Sequence, residues 1–391
     1  MKTTNNPLPI IVSIFIFFSV FYAKAEKIEV DGIYYILEND GTATVTYRGE
    51  EEDGWMYFTA DELYMGDVEI PAEIKYADNV YQVNAIGNDA FAGSKFLSSL
   101  SIPHTLSTIG SGVFSLCNGL KSIQVDDQNP TFISYDGILY KRNPLTIFFV
   151  PKNISGDISL LDSIHEIPSG AFQNCSNLTT LSLPNEVVTI SDGAFNGCEN
   201  LQEIFIGDKL ESIGEYAFSK CLNLSILSLP ESVKTIKAAA FADCENLVYV
   251  LLHEGLESIG KMAFYNCPGL MGIQLPSTLT TIGEQAFKEC VSLDIVKNDS
   301  KLPIEIGSTD YGYVAYYASQ IINDSESSLQ ENINYNRISV FKEDKHWLIT
   351  NAKGKWICIY TIKGEYLGCH FCRNEIEEIE VRASRIVVVE K

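Results

Sequence analysis

A chain of 391 residues has room for two or three ordinary domains or for one elongated repeat array, so length excludes neither. Its formal charge of −23, from 51 acidic residues against 28 Lys and Arg, does exclude a class of partner. A strongly acidic body repels phosphate backbones, and no Lys/Arg stripe reverses the sign locally, so nucleic acid is not an expected ligand.

Residues 1–25 read as a cleavable export signal: Lys2, an apolar run from Ile10 to Tyr22, then Ala23 and Ala25 around Lys24. The run falls short of the roughly 20 residues that span a bilayer, and nothing later resembles a second span. The expected mature chain is secreted or held at the cell surface. No Cys follows the Ala-x-Ala site, so a lipoprotein anchor is not indicated.

Residues 26–64 read as an amino-terminal β cap. Ile28, Val30, Ile33 and Tyr35 alternate, and Thr42, Thr44 and Thr46 alternate beyond Asn39-Asp40-Gly41. Residues 65–300 read as a repeat solenoid. Cys175, Cys198, Cys221, Cys244, Cys267 and Cys290 recur every 23 residues, each with a Phe three positions before it and a Leu three after. The unit I-x-x-x-A-F-x-x-C-x-x-L-x-x-L-x-L-P-x-x-L-x-x supplies one short strand per turn, ended by Pro. Its first Leu falls at Met65, Leu97, Leu120, Leu145, Leu178, Leu201, Leu224, Leu247, Leu270 and Leu293. Extra residues are expected to loop out near 76–83 and between Pro151 and Ile164.

The expected fold is therefore a solenoid of stacked parallel strands about 4.8 Å apart, each turn burying its Leu, Ile and Phe against the same residues of the next. The third and fifth residues of L-x-x-L-x-L point away from the core and form two outward columns. Most are small and polar. The exceptions are Phe205, Ile226, Tyr249 and Leu251 on three consecutive turns, and Ile147 with Phe149 on another. Clustered exposed apolar groups of this kind are candidate partner-binding residues.

Residues 301–331 read as a linker, with Asp324–Glu331 its most polar part, and residues 332–391 as a small β-sandwich. Short apolar runs at Ile338–Val340, Trp347–Ile349, Trp356–Tyr360, Tyr366–Leu367, Ile376–Val381 and Ile386–Val389 suggest about six strands, with turns at Lys353-Gly354 and Lys363-Gly364.

The period-23 cysteines all point one way, too far apart for the roughly 3.8 Å Cβ separation of a disulfide, so buried free thiols are expected there and at Cys117. If Lys363-Gly364 is a two-residue turn, Cys358 faces Cys369. A disulfide, free thiols and a metal cluster with Cys372 and His370 all stay open for that group. The five histidines are scattered, and none stands with a Ser, Cys or Asp in a nucleophile arrangement. Asp126-Asp127-Gln128-Asn129 is acidic but lacks the Gly and closing Glu of a calcium loop. No catalytic residue, metal or cofactor is called for.

The A-F-x-x-C-x-x-L-x-x-L-x-L-P-x-x-L-x-x-I unit resembles the BspA-type leucine-rich repeat. So do Asn129–Tyr140 (N-P-T-F-I-S-Y-D-G-I-L-Y) and the opening Asp31-Gly32-Ile33-Tyr34-Tyr35, a likeness over roughly residues 27–296. It implies a surface or secreted protein of the kind found in Bacteroidetes, adhesin-like, binding host or bacterial proteins, without catalysis. The stretch N-A-K-G-K-W-I-C-I-Y-T-I-K-G-E-Y-L (351–367) is similar to a hairpin of carboxy-terminal sorting domains of type IX secretion, but Ala383-Ser384-Arg385 stands where those carry Gly-x-Tyr, and sorting and capping both stay open. The alternative function is a glycan-binding surface accessory protein, which paired exposed aromatics would favour. An enzyme is disfavoured, since it needs convergent carboxylates or a nucleophile and base in a pocket.

Overall fold

The computed structural model describes residues 27–48 and 63–323 in full, and the backbone of eight further strands at 50–52, 55–57, 339–343, 346–350, 356–361, 366–371, 376–380 and 386–390. Residues 63–322 form a solenoid of short strands. One parallel ladder runs through Met65–Glu69, Phe96–Ile102 and Ser122–Val125. Two further parallel sheets follow in chain order, Gly156–Ser159 with Leu178–Ser182 and Glu203–Phe205, then Ile226–Ser228 with Tyr249–Leu251, Gly272–Leu275, Ile295–Asn298 and Gln320–Ile322.

A second parallel ladder of two-residue strands runs from Glu166–Ile167 to Thr281–Ile282, six strands in strict succession. It comes from the Ile that opens each unit, where a β-branched pair such as Thr235–Ile236 lies on a pleated edge. A third set of contacts ties the turns together: the Phe195, Phe218, Phe241 and Phe264 amides each donate to the Ala carbonyl one turn on, at 2.7–2.8 Å.

Between the ladders the core is a file of identical residues. The rings of Phe172, Phe195, Phe218, Phe241, Phe264 and Phe287 stack at 4.9–5.3 Å, and every one is fully buried. That spacing follows the strand separation and falls in the range where offset aromatic pairs attract. The cysteine column runs beside it as seven buried free thiols, as the sequence predicts. Each thiol from Cys198 to Cys290 donates to the carbonyl of the Phe one turn back, at 3.0–3.4 Å. Cysteine thus fills a small apolar space and supplies a weak donor to a backbone oxygen, which Ala could not.

The amino-terminal end is a sheet in which Lys27–Val30, Ile33–Leu37 and Thr42–Thr46 run antiparallel, and Thr42–Thr46 passes the ladder on to Asn79–Ile86. Asp31-Gly32 makes the first hairpin with both residues at positive φ.

Four expectations are corrected. Residues 76–83 do not loop out: Glu73–Tyr76 and Asn79–Ile86 pair as a hairpin through Ala77-Asp78, both at positive φ without glycine. Leu145 does not begin a turn of the repeat, because Phe132–Tyr135, Ile138–Lys141 and Thr146–Phe149 form an antiparallel meander. The parallel strand of that turn is Gly156–Ser159, inside the segment expected to loop out. Met65 is 57% exposed rather than a core residue, since a register shift sets Gly66 opposite Leu97. Within the expected linker, Gln320–Ile322 forms a further strand beside Ile295–Asn298.

The meander divides the interior. Ile138 and Tyr140 belong to the core that runs on to Ala318, while Leu139 between them belongs to the core of the amino-terminal turns. Alternate residues of one strand therefore serve opposite sides, as the period of two requires.

Six strands lie at the expected places in the carboxy-terminal segment, in two three-stranded antiparallel sheets. Residues 1–25, the polar stretch 324–331, the two Lys-Gly turns and Ala383-Ser384-Arg385 lie outside the described residues.

Candidate binding face

Parity within the main ladder fixes which side chains leave the core. In Ile226–Ser228 and Tyr249–Leu251 the middle residues Leu227 and Val250 are buried and the flanking four are half-buried. Register sets Ile226 beside Tyr249 and Ser228 beside Leu251. Phe205, one unit before Ser228 in the same column, is 42% exposed. Phe205, Ile226, Tyr249 and Leu251 thus occupy neighbouring outward positions on three consecutive turns. Their flanks are polar: Ser182 and Glu203 toward the amino-terminal end, Gln274 toward the other.

Burial pushes the Tyr249 phenol above its ordinary pKa, so at neutral pH it stays a neutral hydroxyl, able to donate and to accept. Toward the carboxy-terminal end the outward columns close over: Gly272, Ile295, Lys297 and Ile322 all point away from the core and are nonetheless buried. The apolar strip is therefore most open at Phe205.

Ile147 and Phe149 do not belong to this face. Ile147 is 8% exposed and joins the core, and Phe149 is half-buried with its ring 4.4 Å from Phe114. The physical reason is the meander: Thr146–Phe149 pairs antiparallel with Ile138–Lys141 across a bulge between Leu139 and Tyr140, so the parity of the parallel repeat does not hold there. Phe148 points outward instead, 40% exposed and edge-on to Phe132, with Tyr135 exposed in the same sheet. Sequence reasoning missed both. It also missed the exposed pair Met65 and Phe96, register partners at the start of the ladder.

The acidic run is structural. Asn129 is buried, its amide donates to the Pro103 and Leu106 carbonyls, and its side-chain oxygen accepts from the Thr131 and Phe132 amides. Asp126 accepts from the Gln128 amide. Among the described residues no group of three or more His, Cys, Asp or Glu is placed to hold a metal. Cys358 and Cys369 are register partners in adjacent antiparallel strands; their side chains, with Cys372 and His370, lie outside the described residues. No described helix is long and apolar enough to cross a membrane.

Comparison with known proteins agrees with this architecture. The chain matches the profile of the BspA type leucine rich repeat region, in six copies, over residues 72–163 and 165–294. None of the curated proteins is similar to it in sequence. Among solved structures it is similar to a leucine rich cell surface protein from Faecalibacterium prausnitzii, at 21% identity over 77% of this chain and 95% of that one, with a TM-score of 0.37. It is also similar to a leucine-rich repeat protein from Eubacterium ventriosum, at 18% identity over 72% and 97% with a TM-score of 0.45. A third is the pneumococcal vaccine antigen PcpA, at 16% over 77% and 99% with a TM-score of 0.39. With its period-23 units and a profile match over more than half its length, the chain belongs to the BspA-type leucine-rich-repeat family.

Proposed function

We propose that this protein is a secreted or cell-surface, adhesin-like binding protein whose strand face at Phe205, Ile226, Tyr249 and Leu251 meets a protein partner, of host or bacterial origin. The observation that carries the reading is the exception to the repeat: three neighbouring turns send apolar side chains outward where most others send Ser, Thr, Glu or Gln. Fully burying one such side chain is worth about 1.5–3 kcal/mol, so a contact that covers several has enough energy for specific association. The acidic body disfavours phosphate-rich partners and suits an extracellular life, in line with the export signal read at 1–25. That setting also favours a disulfide between Cys358 and Cys369.

The test is capture from host extracellular-matrix and bacterial-surface extracts by the mature protein and by a Phe205→Ser, Tyr249→Ser, Leu251→Ser variant of equal thermal stability. Capture of one protein by the first and not by the second supports the strand face. Equal capture by both removes it from the site.

A further inference from the structure

The last full unit breaks the repeat where the fold has no need of it. Preceding units close their strands with an uncharged outward residue, then in most units a Leu and often Pro: Ser228-Leu229-Pro230, Gln274-Leu275-Pro276. In the same frame the final unit has Lys297-Asn298-Asp299. Lys297 is 6% exposed although its strand position faces away from the solenoid core, and its ammonium lies 3.3 Å from Asp299 Oδ2. Gln274 Nε2 donates to the same oxygen at 2.7 Å. Asn298, also buried, donates to the Leu302 carbonyl and accepts from Ser300 Oγ.

These groups line a cavity of about 590 Å³. Its walls are two columns of the repeat, Gln274 with Lys297 and Glu254 with Ser277 and Ser300, and the exposed Lys301 and Asn323 line it as well. Burying an ion pair gains little over a well-packed apolar pair, because desolvation offsets the attraction. The preceding units show that the fold is satisfied without one. A local rule broken at three consecutive residues that together line one cavity points to binding rather than to stability.

We propose that this cavity binds a neutral saccharide through a pair of adjacent hydroxyls. The Lys297 ammonium, 3.3 Å from Asp299 Oδ2 as an ion pair, has three donors to offer, and Asp299 keeps its second oxygen clear of any hydrogen bond among the described residues. Donor and acceptor therefore stand side by side. Of two neighbouring sugar hydroxyls, one accepts from Lys297 and the other donates to Asp299, which completes both groups. Glu254 is already engaged, its two oxygens accepting from the Ser277 amide and hydroxyl. The lining lysines and acids, Lys297, Lys301, Glu254 and Asp299, cancel in charge, so nothing selects an anion on a surface that is acidic elsewhere. An apolar ligand would leave the ion pair desolvated without new partners. This site is separate from the strand-face residues and does not depend on the protein-docking reading.

Isothermal titration calorimetry and saturation-transfer NMR of the mature protein provide the test, with maltotriose, mannotriose and lacto-N-tetraose as neutral probes, their per-O-methyl derivatives, and glucuronate as an anion. At least one neutral probe is expected to bind saturably. Its affinity should fall tenfold or more in Lys297→Met and in Gln274→Ala and stay within twofold in Phe205→Ser. Because Lys297→Met leaves Asp299 without its ion-pair partner, Lys301→Ala, whose side chain forms no ion pair among the described residues, serves as the second variant and should also weaken binding. Binding to none of the neutral probes, equal binding of the methylated forms, tighter binding of glucuronate, or retention in all three cavity variants would each overturn the proposal.

Discussion

Residues 165–294 and the meander at 132–149 use the same alternation of apolar and polar residues for opposite ends. In the regular stretch up to Tyr249–Leu251 the main strands keep an outward row that is half-buried or exposed, because their neighbours are copies of themselves and stack in register. In the meander Ile138 and Tyr140 face one core and Leu139 the other, so the central strand has no free face, and exposed apolar rings remain only on its neighbours, at Tyr135 and Phe148. A repeated unit therefore stacks its outward residues into continuous columns, whereas an insertion that joins two cores leaves its central strand without a free face. The contrast explains why apolar residues in the first setting are candidates for a partner and in the second are structural.

The contrast can be broken in several ways. The largest effect is expected in the file of rings: Phe218→Ala should cost about 3–5 kcal/mol, since both stacked neighbours lose contact and the array cannot close around the gap. Urea unfolding measures it, and a loss below 1 kcal/mol would mean that the file is not continuous. Leu139→Ala should cost about 2–5 kcal/mol but act on one side. Hydrogen exchange should quicken in Phe96–Ile102 and Ser122–Val125 and leave Thr235–Ile236 and Ser258–Ile259 unchanged. Equal acceleration on both sides would dissolve the partition.

A smaller effect is expected in the thiol column. Cys221→Ala should cost about 1 kcal/mol for the lost donor to the Phe195 carbonyl. Burial pushes the Cys244 thiol up to about 12 and the Cys175 thiol up to about 11. Thiolate is therefore scarce at pH 8, and the column should resist an aromatic disulfide reagent until the protein unfolds. Rapid native labelling of these thiols would contradict the packing. The smallest effect is expected at the surface: Phe205→Ser should change stability by no more than about 0.5 kcal/mol, because the side chain is 42% exposed.

Much of this was legible in the sequence wherever one unit predicts the next. The period of the cysteines gave the stacking axis, and the L-x-x-L-x-L frame gave the outward positions of Phe205, Ile226, Tyr249 and Leu251. Legibility failed where conformation depends on a partner of different kind. The inward turn of Ile147 follows from antiparallel pairing and a bulge, neither of which leaves a mark in Thr146–Phe149 itself. The hairpin at Ala77-Asp78 has the backbone of a glycine turn without the glycine. The same is true inside the repeat. The position before Ala-Phe takes positive φ throughout, as Gly193 in one unit but as Tyr216, Ala239, Met262 and Gln285 in those that follow. Stacking imposes a conformation there that the local residues would not choose. The cavity at Lys297 was written in the sequence as a break in the frame, but only burial and distance show that Lys297 and Asp299 pair out of solvent on the outward side.

The most direct test of the central claim, that regular turns present the binding surface and the meander does not, is to measure the dissociation constant of a captured partner against three proteins of matched stability: the wild type, the Phe205→Ser, Tyr249→Ser, Leu251→Ser variant, and a Tyr135→Ser, Phe148→Ser variant. The account predicts at least a tenfold loss in the strand-face variant and a change of less than twofold in the meander variant. Loss confined to the meander variant would contradict it.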